Sequence, residues 1–150
     1  KAVMILRKHR LWETFLVNKL DFNWGEVHDV AEQLEHIQSS ELIDRLDIFL
    51  KHPKFDPHGE PIPSKEGVIP NTNTIPLNKL NCGIIGLVMG VTLDEKEFLD
   101  YLTKLNIKIG SKIEIKEKID FDQSLSIKIE NQYYHISNEV SKHLLIKTKI

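Results

Sequence analysis

The sequence predicts an α+β chain, an all-α unit over residues 1–70 followed by a small β-barrel unit over residues 71–150. Three observations predict it. The N-terminal part carries apolar side chains at steps of three and four, the helical period. The C-terminal part carries several short runs in which apolar and polar residues alternate, the period of half-buried strands. Between them, Pro53, Pro57, Pro61, Pro63 and Pro70 with Gly59 and Gly67 forbid a long helix and favour turns.

Lys1 to Leu20 reads as the first helix, because Val3, Leu6, Leu11, Phe15 and Leu16 recur at helical spacing without Gly or Pro. Asp21 to Gly25 breaks it. Glu26 to Gln38 reads as a second helix, with Val27, Val30, Ala31, Leu34 and Ile37 in one stripe. Ser39 and Ser40 can cap a third, with Glu41 and Asp44 in its first turn. Leu42, Ile43, Leu46, Phe49 and Leu50 supply its buried face, and it stops before Pro53. Beyond the Pro-rich stretch, Gly83 to Val91 reads as a glycine-interrupted strand and Asp94 to Leu105 as a helix with Thr92 or Asp94 near its cap. Lys112 to Lys118 alternates, as do Leu125, Ile127 and Ile129. Asn131-Gln132 reads as a hairpin tip leading into Tyr133 to Ile136. Ser137 caps a short helix reaching His143, and Leu144 to Thr148 is the last strand. So many short strands in so little chain predict a closed or nearly closed barrel.

Composition narrows the function. The hydrophobic fraction is 41% and the charged fraction 28%, as in an ordinary globular protein. The net charge of -2 disfavours strong phosphate binding by this chain alone. A single cysteine, Cys82, excludes a disulfide framework and suits a reducing cytoplasm; Cys82 itself is expected as a small buried residue. The apolar run from Cys82 to Val91 is too short to span a bilayer, and no signal peptide is visible. The chain opens at Lys1 inside a helical pattern, which suggests a piece of a longer protein.

The chemistry lies on the second helix. His28, Glu32, Glu35 and His36 fall at i, i+4, i+7 and i+8. At about 100° per residue they occupy roughly a third of the helix circumference, away from the apolar stripe. His9 and Glu13 add an i, i+4 pair on the first helix. A divalent cation joins such groups, turning carboxylate repulsion into attraction and taking a lone pair from each neutral imidazole. A nitrogen- and oxygen-rich set without thiolate suits Mn2+ or Fe2+, with other divalent transition metals able to substitute in vitro. The competing reading is solvated decoration, since His and Glu at i, i+4 are ordinary on exposed helices. His52, His58, His135 and His143 have no such company and read as surface or turn residues. No enzyme motif emerges: the carboxylate and His spacings of di-iron bundles and zinc proteases are absent, as is a phosphate-binding glycine loop.

Arg7-Lys8-His9-Arg10-Leu11 with Glu13, Val27-His28-Asp29 with Glu32, Glu35 and His36, and Asp56-Pro57-His58-Gly59-Glu60-Pro61-Ile62-Pro63 together resemble the dimerisation domain of the diphtheria toxin repressor family. Leu77 to Gly86, Leu105 to Gly110 and Leu144 to Lys147 are similar to the SH3-like, FeoA-like barrel that many members carry. The resemblance implies two metal sites. His9, Glu13 and His28 match ligands of the ancillary site, and Glu32, Glu35 and His36 match ligands of the site that activates DNA binding. Glu32 resembles the manganese-sensing branch, whereas Glu13 and His28 resemble the iron-type ancillary site. The family's winged helix and its N-terminal ligands have no counterpart here, and the region near Met89 and Thr92 lacks the Glu and Gln that some members lend from the barrel.

The resemblance therefore implies the metal-binding and dimerisation portion of a manganese- or iron-dependent transcriptional repressor. Operator DNA would be reached only through the N-terminal winged helix, with no membrane partner and no small-molecule substrate. The dimer would be isologous, with Leu34, Ile37, Leu42 and Leu46 sharing their burial between fold and partner. The alternative is an accessory protein of metal transport that acts through its FeoA-like barrel.

Overall fold

The computed structural model describes residues 2–148. The chain divides into two compact units, one running through Thr72 and the other starting at Asn73. The first holds three helices, α1 (Ala2–Leu20), α2 (Val27–Leu34) and α3 (Ser40–Phe49). Position 1 of the first expected helix lies outside the described residues. Leu11, Trp12 and Leu16 of α1 bury against Val27 and Ala31 of α2, Ile43 and Leu46 of α3, and Ile62 of the following loop. Of these, Leu11, Leu16, Val27, Ala31, Ile43 and Leu46 are positions the helical period marks; Trp12 and Ile62 join them unannounced, and Leu42 and Phe49, expected on the buried face of α3, are exposed.

The ends of the helices depart from the periodic pattern. α2 stops at Leu34, four residues before the expected Gln38. The reason is the next cap. Ser39 takes an extended backbone, with φ -69° and ψ 111°, so that its hydroxyl accepts the Leu42 N–H at 3.2 Å. A residue so placed cannot continue the preceding helix, and the chain turns at Glu35 and His36 to reach it. α3 ends before Pro53 because Lys51 and His52 both adopt positive φ.

The Pro-rich stretch is ordered by its own turn and by α1. Asp56 Oδ1 accepts the N–H groups of His58 and Glu60, each at 2.9 Å, and Gly59 supplies φ 83°, a conformation suited to glycine. Arg7 Nη1 donates to the Pro63 carbonyl at 3.2 Å and Arg10 Nη1 to that of Pro61 at 2.6 Å. Two arginines one turn apart thus hold the loop along α1.

In the second unit, β1 (Ile75–Pro76), β2 (Ile85–Val91), β3 (Lys112–Lys118), β4 (Leu125–Ile129), β5 (Gln132–Ile136) and β6 (Leu144–Lys147) form one antiparallel sheet in the order β1-β6-β2-β3-β4-β5. Val88, Ile113, Ile115, Leu125, Ile127, Ile129, Ile136, Leu144 and Ile146 bury one face, joined by Leu99 and Leu102 of α4 (Lys96–Lys104). The alternation anticipates these strands and the resemblance their SH3-like arrangement; among the described residues no pairing joins the edge strands β1 and β5. A four-residue helix α5 (Asn138–Ser141) precedes β6, capped by Ser137, whose hydroxyl accepts the Val140 N–H at 3.1 Å.

Local expectations are corrected at four points. The helix α4 starts at Lys96 after Glu95, while Thr92 Oγ1 is 2.8 Å from His143 Nδ1 and plays no part in the cap. The β4–β5 hairpin turns on Glu130-Asn131, one residue earlier than expected, with Glu130 at φ 53° and Ile129 paired with Gln132. β2 starts at Ile85, because Gly83 forms a turn at φ 87°. Cys82, in that same turn, is exposed and forms no part of the core.

At Gly86 the backbones of β2 and β6 approach so closely that a Cβ would overlap the Ile146 side chain and stand 2.9 Å from the Lys147 carbonyl oxygen. Gly86→Ala should therefore destabilise the barrel by about 1–3 kcal/mol, the usual cost of overpacking. A lowered midpoint in thermal or urea unfolding, with helical content retained, is the expected result. An unchanged midpoint would mean that the strand moves aside freely.

Candidate metal centre

Residues on α1, on α2 and in the Pro-rich turn meet beside the helical core. His9 and Glu13 are one turn apart on α1, and His9 Nε2 lies 3.2 Å from Glu13 Oε2. His28, in the first turn of α2, sets its ring edge-on to that of His9, with centroids 4.9 Å apart. Each of His9, Glu13 and His28 offers one ligating atom, and the three atoms lie within 4.8 Å of one another. The two helices therefore bring together three of the six expected ligands.

The other three are placed differently. Glu35 reaches back to α1, where its Oε1 is 2.6 Å from His9 Nδ1. Glu32 lies on the surface beside His28 and Asp29. The His36 side chain is 70% exposed and stands 4.0 Å from Glu35 Oε2. The four-residue face expected from an unbroken second helix is thus divided by the helix end after Leu34.

Two further residues belong to this neighbourhood, among them His58, which was expected as a surface or turn residue and lies in a turn that is buried. His58 is 2% exposed, and its Nδ1 stands 3.8 Å from Glu13 Oε2. Asp56 is buried as well. The sequence signal was the Asp-Pro-His-Gly turn, in which the Asp cap and the following glycine fix where the histidine points. What the sequence does not carry is that Arg7 and Arg10 press this turn against α1.

The electrostatics follow from burial. Burial opposes charge on His9, yet hydrogen bonding and attraction from Glu13, then from Glu35, outweigh it and raise its pKa from 6.5 to about 9. Both ring nitrogens face carboxylates, so the metal-free imidazole is the imidazolium. Asp56 is raised from 3.8 to about 9, by burial first and then by the neighbouring Glu13. Burial also pushes Glu13 upward, but hydrogen bonds from His9 and Asp56 and the nearness of His58 carry it below its usual value. Glu13 and Asp56 accordingly share one proton, held on the Asp56 side.

These residues fit a divalent cation. The donors are imidazole nitrogen and carboxylate oxygen, and Glu13 Oε1 is buried without a hydrogen-bond partner. His9 Nε2 is the nitrogen that becomes available once its proton leaves. Nδ1–H stays on Glu35, as metal-ligating histidines commonly donate their second N–H to a carboxylate.

Comparison with known proteins accords with this geometry. Residues 1–64 match the family described as iron dependent repressor, metal binding and dimerisation domain, and residues 75–148 match the FeoA domain. A solved manganese-dependent transcriptional repressor in complex with manganese superposes with a TM-score of 0.92 and 32% identity, over 98% of this chain and 70% of that one. The chain belongs to the diphtheria toxin repressor family. The iron-dependent repressor IdeR of Mycobacterium tuberculosis is 34% identical over 113 residues, 69% of this chain and 49% of that protein. A probable metal transport system membrane protein of Chlamydia trachomatis is 46% identical over 65 residues, 43% of this chain and 14% of that protein. The chain thus spans about half the length of the curated repressors it matches, and a smaller share of the transport protein.

The protonation states give a test. The raised pKa of His9 contributes stability that is full below 6.5 and lost as pH rises through about 9. The raised pKa of Asp56 acts in the same direction, its contribution falling from 3.8 to about 9. The metal-free protein should therefore melt at progressively lower temperature between pH 7 and 9. With Mn2+ the ligands must be deprotonated, so the metal-induced rise in Tm should widen over the same range. Thermal melts with chelator and with Mn2+ check both slopes. A metal-free Tm that is flat or rising would contradict the assigned proton positions.

Proposed function

We propose that this chain is the metal-sensing and dimerising part of a transcriptional repressor that responds to Mn2+ or Fe2+. The observation that carries the reading is the convergence of His9, Glu13 and His28 from two neighbouring helices onto positions within 4.8 Å of one another. His9, Glu13 and His28 would hold the cation, and Glu35 would orient His9. The bound ion supplies positive charge that ties α1 to α2. Glu32 and His36 are candidates for a second, outer position, which calls for ligands from an N-terminal segment. In this reading, residues 1–70 sense metal and dimerise, residues 71–150 form a separate FeoA-like domain, and DNA is contacted by a winged helix preceding Lys1. Binding energy at the centre then selects one arrangement of the dimer, and with it one spacing of the two recognition helices.

Support for the dimer comes from apolar side chains that the helical unit leaves in water. Ile37 and Leu42 are both 38% exposed and Phe49 is 56% exposed, while Leu46 is buried within the fold. Leu42 and Phe49 lie two turns apart on the same side of α3.

A second reading draws on the Chlamydia trachomatis likeness, which is confined to 65 residues and belongs to a protein named for metal transport. In that reading the unit reports metal to a transport system. Among the described residues no helix is long and apolar enough to cross a membrane, so the coding sequence upstream of Lys1 separates the two readings. A winged helix there supports the repressor, and a run of membrane-spanning helices alone supports the transport role.

Two measurements test the main reading on this chain. His9→Ala and His28→Ala should each weaken Mn2+ binding by more than about 100-fold, exceeding the roughly 10–100-fold expected for removing an outer-shell partner, as in Glu35→Ala. His36→Ala should leave affinity nearly unchanged. Calorimetry decides, and equal losses from all four would reject this division of labour. Leu42→Glu should convert a dimer at micromolar concentration into a folded monomer by sedimentation. A wild-type chain already monomeric there would count against dimerisation through α3.

A further inference from the structure

A pocket of about 340 Å3 opens beside α1, where the end of α3 meets the chain that follows the Pro-rich turn. Its volume is that of a small-molecule site. Arg7 belongs to its lining. Lying two residues before His9, Arg7 points to a different side of α1 from the metal centre.

Arg7 is a buried cation with too few partners. It is 3% exposed. Its Nη1 donates to the Pro63 carbonyl at 3.2 Å. Its Nη2 is buried without a hydrogen-bond partner. Asp47 Oδ2 stands 3.6 Å from Nη2, close enough for attraction but too far for a hydrogen bond. That same oxygen is 2.8 Å from His52 Nδ1, so the carboxylate is shared rather than committed to the arginine. Buried donors without acceptors are rare, and on a charged group they are costly. An acceptor supplied from the pocket removes that cost.

The lining fits a particular kind of acceptor. Arg7, Lys54 and Lys65 outnumber Asp47, so the pocket favours an anion. Lys65 sits at the rim, where it also lies 3.6 Å from Asp44 Oδ1. The remaining wall is largely apolar, with Pro53, Ile62, Pro63, Val68 and Pro70. Val68 is 63% exposed, an apolar side chain left in water at the mouth. The wall around it is already formed. Ser64 N–H donates to the Val68 carbonyl at 2.9 Å, and Ser64 Oγ accepts the Val68 N–H at 3.1 Å. A preformed wall lowers the ordering cost of binding.

We propose that this pocket binds a small organic acid, with its carboxylate towards Arg7 and its apolar body against the prolines and Val68. The carboxylate supplies Arg7 Nη2 with the acceptor it lacks. Lys54 and Lys65 draw the anion in. The site requires neither a metal nor a DNA-binding segment, so it stands apart from the repressor reading. Its ligand touches α1, the end of α3 and the following loop together, and so fastens these three segments to one another.

Sodium benzoate titrated into the metal-free full chain, in a buffer without carboxylate or phosphate, tests the assignment by two-dimensional NMR. Benzoate should saturate in the millimolar range, as suits a ligand of its size. The amides of Arg7, His52, Ser64 and Val68 should shift along one binding curve. Benzamide, of the same shape without the charge, should bind roughly tenfold more weakly or worse, the usual worth of a charge-assisted hydrogen bond. Arg7→Met should weaken benzoate by a similar factor. Because Arg7 also fastens Pro63, Val68→Trp at the exposed mouth is the second variant, and it should block benzoate with the helical spectrum retained. Equal affinity for benzoate and benzamide would overturn the proposal. So would shifts that do not saturate, or benzoate affinity retained in Val68→Trp and in folded Arg7→Met, leaving water as the occupant. Inorganic phosphate binding as tightly as benzoate would overturn the role of the apolar wall, leaving an adventitious ion only.

Discussion

The helical unit is organised around a buried negative charge. Glu13 is 2% exposed on a helix whose neighbouring positions Leu11, Trp12 and Leu16 form the core. An isolated carboxylate there would be strongly disfavoured, and the usual escape is to take up a proton. Here it stays charged because three partners arrive from two segments: His9 from its own helix, and His58 and a protonated Asp56 from the Pro-rich turn. The arginines that fasten the turn to α1 act in the same direction, tying the Pro61 and Pro63 carbonyls beside Asp56 and His58 to the helix that carries Glu13.

This constraint separates what the sequence discloses from what it conceals. His9 and Glu13 are one turn apart on a helix with continuous apolar spacing, so their pairing is readable from spacing alone. His28 is readable for a similar reason, because Val27 and Ala31 anchor its helix to α1 and carry it there. Glu35 and His36 are legible as candidates but not in their placement. Periodicity extends the second helix across them, whereas a serine cap three residues later requires the chain to leave the helix first. Local capping outweighs a continuing apolar stripe because an extended residue cannot be accommodated within a helix.

Asp56 and His58 were hidden for a different reason. A turn rich in proline and glycine is normally solvated, since its backbone groups need water. This one satisfies its own backbone through Asp56 Oδ1 and the pairing of Asp56 N–H with the Glu60 carbonyl. It can therefore be buried, and its histidine with it. The barrel shows the complementary case. Alternation located β3 and β4 almost to the residue, because each has one face in the core. The turn before β2 and the exposure of Cys82 are not legible in the same way, because an apolar composition says nothing of a φ of 87° at the next residue.

The second helix gives the centre its leverage. It has eight residues, no side-chain cap at Glu26 and only Val27 and Ala31 fully buried. A helix this short is marginal by itself and depends on its neighbours for its position. Its ties to α1 include the His9–Glu35 contact and the packing of His28 on His9, both of which involve ligands of the proposed centre. Exchanging the His9 proton for a divalent cation would therefore act on a short helix, while α1 is held by the core and by its two arginines. Binding energy spent on a rigid element shifts little, whereas the same energy at a weakly held one redistributes conformations. In the proposed sensor the groups would be divided in this way, with the ligands Glu13 and His9 on the longer helix, the ligand His28 on the short one and the orienting Glu35 just past its end.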